Sequence, residues 1–108
     1  MRYPKSVRKE LRSLATTAYE RELDSTLEEL YASFDKWKNK QMDGFELNQL
    51  IHAFHQKKSR ELWNMYNEKD EDFIVTRALR LDVLQPGEIS AETAEAIPLD
   101  RHINGDRA

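Results

Sequence analysis

A chain of 108 residues with no cysteine and a formal net charge of −3 has room for one domain and no means of stapling it with disulfides or thiolate metal sites. The charge is uneven: residues 1–60 carry 12 Lys/Arg against 9 Asp/Glu, whereas residues 61–108 carry 5 against 11. That acidic second half argues against a general nucleic-acid binder, and the lack of cysteine makes the cytoplasm the expected compartment. The first thirty residues hold no apolar core of a secretory signal, and apolar stretches free of charge, such as residues 50–54, are only a few residues long. A membrane-spanning helix needs about 20 apolar residues, so none is expected.

Glycine and proline occur only at Pro4, Gly44, Pro86, Gly87, Pro98 and Gly105, leaving 5–43 and 45–85 free of both, as long helices require. The first predicted helix starts near Pro4, where a missing N–H costs nothing, and runs to about Lys38. Its apolar residues recur at steps of three and four, from Val7, Leu11, Leu14 and Ala18 to Leu23, Leu27, Leu30, Phe34 and Trp37. At ~100° per residue the second group points roughly 130° away from the first, so the two halves of this helix need different neighbours.

Asp43 and Glu46 have the spacing of a capping box, and a second helix is predicted from Gly44 to Tyr66. Its apolar face comprises Leu47, Leu50, Ile51, Phe54, Leu62, Met65 and Tyr66, interrupted by His55 and Lys58. The polar run 67–72 then breaks the chain before a third helix from Asp70 to Leu81, with Arg77 and Arg80 as its expected exposed edge. Val83 and Leu84 should anchor the chain ahead of the Pro86-Gly87 turn, and Ser90 reads as the cap of a short helix, residues 91–97. Residues 1–97 are read as a single helical domain and residues 98–108 as a flexible tail.

The expected fold is therefore all-α: a long antiparallel helical hairpin, a third shorter helix and a small C-terminal helix. Centring the hairpin turn at Gln41–Met42 sets residue i level with residue 83 − i and gathers Phe34, Trp37 and Phe45 near the tip. Two arrangements would cover the stripe of Val7, Leu11, Leu14 and Ala18: the third helix folding back onto it, or a second copy completing a four-helix bundle.

Residues 35–46 resemble an EF-hand loop, with Asp35 at position 1, Asn39 at 5, Asp43 at 9 and Glu46 at 12. Trp37 stands where an oxygen ligand belongs, and Lys40 replaces the turn glycine. His52 and His55 share one side of the second helix, His55 level with Glu28 and His52 with Tyr31, and His52, His55 and Glu28 are the weak candidates for a metal site; no cofactor is otherwise expected. Lys58 lies on the apolar face of that helix opposite Asp24 and Glu28, either as a charged layer or with its stem snorkelling to solvent. Lys5, Arg8, Lys9 and Arg12 form a basic face, offering nucleic-acid contact as a third reading. No glycine-rich loop or activated nucleophile is present, so the reading is of a non-enzymatic interaction or accessory module, self-associating or bound to a protein partner. Leu11, Leu14, Ala18, Trp37 and Trp63 are its candidate contact residues.

Overall fold

The change of direction in the first apolar stripe is met by two different sets of neighbours. A computed structural model describes residues 3–97, which are helical with no strand among them. The elements are α1 (Lys5–Lys38), α2 (Gly44–Ala53), a π-helical turn (Phe54–Ser59), α3 (Arg60–Glu68), α4 (Glu71–Arg80), a 3-10 turn (Pro86–Glu88) and α5 (Ala91–Ala96). The predicted tail, 98–108, lies outside the described residues.

Val7, Leu11, Leu14 and Ala18 are buried, packed with Val75, Ala78 and Leu79 of α4 and with Leu84 and Ile97 beyond it. Of the two arrangements for this stripe, the chain itself supplies the cover. Folding α4 back takes only Lys69 and Asp70 in extended conformation between α3 and α4, a tighter break than the six polar residues predicted. Leu84 is buried with Val83 half-buried beside it, forming the expected anchor.

Helix ends follow local chemistry. Asp43 Oδ1 accepts from Glu46 N–H (2.8 Å) while Asp43 N–H donates to Glu46 Oε1 (3.2 Å), completing the capping box. Ser90 Oγ accepts from Thr93 N–H at the start of α5. Helices α1 and α4 end in the same way. Lys40 N–H donates to Trp37 O and Gln41 N–H to Lys36 O; Asp82 N–H donates to Leu79 O and Val83 N–H to Ala78 O. These are Schellman pairs, and each puts its central residue in the left-handed region, Lys40 at φ 62° and Asp82 at φ 62°.

The second helix is continuous from Gly44 to Glu68, because the residues bounding its π turn, Ala53 and Arg60, keep right-handed helical angles. The turn coincides with the predicted gap in the apolar face, and geometry explains why. Eight residues separate Phe54 from Leu62, which in an α-helix is two turns plus ~80°. A π turn takes up one extra residue, about 100°, and returns Leu62 and Tyr66 to the side of Leu47 and Phe54. Leu47 is buried, and Phe54, Leu62, Met65 and Tyr66 are half-buried.

The segment after α4 lies across α1 and is held by polar contacts. Arg21 donates from Nη1 and Nη2 to both carboxylate oxygens of Glu88 (2.9 and 2.7 Å) and from Nη1 to Val83 O (2.9 Å). Glu10 accepts from Ser90 N–H (2.8 Å), Ser90 Oγ (2.6 Å) and Thr93 Oγ1 (2.7 Å). Partial burial works against the Glu10 charge, but the bonds from Ser90 and Thr93 outweigh it and hold its pKa below the ordinary value. Glu88 is held at about 2, first by the Arg21 guanidinium and then by the Gln85 N–H.

Both carboxylates titrate lower in the folded chain, so their contribution is complete above the ordinary value of 4.5 and is lost as pH falls from there towards 2. Urea unfolding followed between about pH 6 and 2.5 should show that decline, and Arg21→Met should flatten it; an unchanged slope would remove Arg21 as its cause. The π turn makes a separate prediction. Deleting Gln56 should convert it to α-helix with faces aligned and stability within about 1 kcal/mol, whereas deleting Asn64 should rotate Met65 and Tyr66 off the seam and cost over ~2 kcal/mol. Equal damage from the two deletions would show that the turn does not realign the faces.

Candidate interaction surface

Among the described residues, eleven of the twelve buried apolar ones belong to the head formed by the N-terminal half of α1, α4 and the segment after it; Leu47 alone lies in the hairpin. The exposed large apolar residues divide the other way. Of ten among the described residues, eight lie on the hairpin: Leu27, Tyr31, Phe34, Trp37, Phe45, Leu50, Ile51 and Trp63. The chain is thus a packed head carrying a two-helix arm with little core of its own.

Helical spacing sorts these residues into two sides. On α1 the seam with the second helix runs along Leu23 and Leu30, both half-buried. From Leu30, at ~100° per residue, Phe34, Leu27 and Tyr31 stand about 40°, 60° and 100° to one side, and Thr26, Ser33 and Glu29 equally far to the other. On the second helix Ile51 flanks the Leu47–Phe54 seam on the Leu27 side, and Leu50 flanks it on the Thr26 side. The π turn brings Trp63 to the same side as Ile51. Leu27, Tyr31, Phe34 and Ile51 therefore share one side of the arm, with Trp63 on the same side nearer the head; Tyr31 is 72% and Trp63 56% exposed.

The opposite side is a groove of about 200 Å³ floored by Leu30, Leu50, Ala53 and Phe54 and edged by Lys57 and Lys58. Lys58 Nζ bonds Glu29 Oε1 (2.9 Å) with both side chains more than half exposed, so this lysine snorkels to a surface partner and forms no charged layer with Asp24 and Glu28. At the tip, Phe45 is 86% exposed and Trp37 is exposed too, so the aromatic residues expected to gather there are not closed into a cluster.

The arm is fixed to the head by a polar junction. Glu22 accepts from Arg77 Nη1 (2.9 Å) and Nη2 (3.3 Å) and also from the Tyr66 hydroxyl, so one carboxylate joins α1, α3 and α4. Tyr66 stacks flat on Tyr19, ring centroids 4.6 Å apart. The pair is largely withdrawn from water, with side-chain exposures of 16% for Glu22 and 21% for Arg77. Burial, reinforced by Glu22, raises the Tyr66 pKa well above the ordinary phenol value, so it remains a hydroxyl donor. Arg77 is thus a buried-edge anchor and not the exposed edge its helix pattern suggested.

The sequence candidates separate accordingly. Leu11, Leu14 and Ala18 are buried against α4 and the C-terminal segment, so they offer no open surface. Trp63 lies on the exposed arm face and Trp37 at its tip. His52, His55 and Glu28 are all exposed, and among the described residues no three His, Asp or Glu side chains gather in a metal-holding group. In the EF-hand-like stretch, Asp35 is still within α1 and Asp43 and Glu46 cap each other, although Lys40 does take the left-handed backbone a glycine would supply. Of the basic face, Arg8 Nε donates to Tyr3 O and Arg12 lies 3.8 Å from Glu71. No helix among the described residues is long and apolar enough to cross a membrane.

The predicted apolar stripes already hold Leu27, Phe34 and Ile51, but neither Tyr31 beside them nor the Glu22 junction. The 27, 31, 34 spacing was a readable signal for the first; the second joins residues 55 apart in sequence and had none. No protein-family model, curated protein or solved structure matches the chain.

Removing Glu22 leaves Arg77 partly buried without its anion. Glu22→Ala should cost about 2–3 kcal/mol, below the 3–5 of a fully buried pair because both side chains keep some solvent. Chemical denaturation would check this; a loss under ~0.5 kcal/mol would mean that the junction does not hold arm to head.

Proposed function

We propose that this chain is a cytoplasmic, non-enzymatic helical interaction module that self-associates through its hairpin arm. The observation that carries the reading is the distribution of apolar surface. The head has buried its share, while the arm keeps Leu27, Phe34, Ile51 and Trp63 exposed around one buried residue, Leu47. A two-helix hairpin with one open apolar side gains by packing against another pair of helices, and a second copy is the partner always at hand. Exposed apolar side chains gathered on one side of a folded protein mark association sites.

Relative to the sequence reading, the docking surface moves along α1. The stripe of Leu11, Leu14 and Ala18 has its cover within the chain, so self-association rests on the arm and on Trp63 as its aromatic anchor.

Light scattering on a sizing column across a concentration series should give a dimer that dissociates on dilution. Phe34→Glu with Ile51→Glu should yield a monomer with unchanged helical circular dichroism. A chain that stays monomeric at every concentration would overturn the proposal.

A further inference from the structure

The arm is held unequally along its length. At its root, Tyr66 bonds Glu22 and stacks on Tyr19, so α3 is tied to α1 at the point where Arg77 ties in α4. Further out, Lys58 of the π turn bonds Glu29, a pair more than half exposed that contributes little in water. Residues 30–58 bury one apolar side chain, Leu47. Leu30 and Phe54 are half-buried there, and the other Leu, Ile and aromatic residues of that stretch are exposed. The head, by contrast, shuts Val7, Leu11, Ala18, Val75 and Ala78 almost wholly away from water.

We infer that residues 30–58 form a separate cooperative unit, which opens while the head stays folded and has the π turn as its boundary. Apolar burial is the main force that holds helices together, and it is what this stretch lacks. Its helical pieces, residues 30–38 and α2, are each about ten residues long, whereas a helix shorter than about 12–15 residues is marginal in water on its own. Once they lose contact, α2 melts and the end of α1 frays inward from Lys38. At the π turn the regular i→i−4 ladder is interrupted, so melting of α2 need not spread into α3, which the Glu22 junction holds in place. Fraying of α1 stops short of the same junction. Opening bares Leu30, Leu47 and Phe54 beside the flanks already in water, so the outer arm shows its full apolar set only in that state. This is a property of one chain and needs no second copy.

Amide hydrogen exchange on the full chain, followed by NMR below the urea concentration that unfolds it, resolves such units. The hydrogen-bonded amides of residues 30–38 and 48–58 should share one level of protection and exchange on the order of 100-fold faster than those of α4. Leu47→Ala should speed exchange in that unit at least about 10-fold and leave α4 within about 2-fold. Val75→Ala, which opens a cavity in the head, should do the reverse. Equal protection of arm and head in the unaltered chain would overturn the inference, and so would a Leu47→Ala variant that speeds α4 as much as α2. Low protection continuing through Tyr66 would remove the π turn as the boundary and the inference with it.

Discussion

One helix serves two packing environments, and the rest of the molecule follows from that constraint. Along α1 the apolar stripe turns by roughly 130° between Ala18 and Leu23, so no single neighbour can cover it. Glu22 stands where the stripe turns. Its carboxylate takes two bonds from Arg77 of α4 and one from Tyr66 of α3, joining the helix that covers the first stripe to the helix that lines the second. A charge this far withdrawn from water persists only with its partners in place, so the junction selects one relative placement of head and arm.

The two parts differ in how fully they solve the burial problem. In the head, small residues such as Ala18 and Ala78 are fully buried and let α1 and α4 approach, while Leu84, Thr93 and Ile97 are drawn in from the segment behind them. That segment is secured by Arg21–Glu88 and by Glu10, whose carboxylate accepts from the Ser90 N–H and from the Ser90 and Thr93 hydroxyls. In the arm, two helices meet along a narrow seam, and most of their apolar flanks remain in water. A helix pair cannot enclose a core by itself, since each apolar stripe is wider than the line of contact between two cylinders.

The π turn belongs to the same economy of faces. Without it, Leu62 and Tyr66 would be rotated by ~80° from Leu47 and Phe54, the seam would end at Phe54, and Tyr66 would not reach Glu22. With it, the seam runs the length of the hairpin, Tyr66 stacks on Tyr19, and Trp63 joins Ile51 on the open side. One irregular turn thereby links the polar junction at the root of the arm to the apolar face further along it.

The helices, their ends and their caps were legible from sequence, because each depends on neighbours a few residues away: Pro4 before α1, the Asp43–Glu46 box, Ser90 ahead of α5. The rotated stripe on α1 was legible too, as was the need for two neighbours, since periodicity is a property of the chain alone. Which neighbour covered Val7 to Ala18 was not, because α4 and a second copy satisfy the same pattern; a two-residue extended link between α3 and α4 decided it. The eight-residue gap between Phe54 and Leu62 was visible as an interruption, but only the packed helix shows that backbone geometry, not a charged layer, bridges it. Arg77 and Glu22 lie 55 residues apart, and no local spacing pairs them. Long-range polar pairing and the choice among equivalent apolar covers are properties of the assembled fold, since they are set by which surfaces meet and not by the order of residues along any one helix.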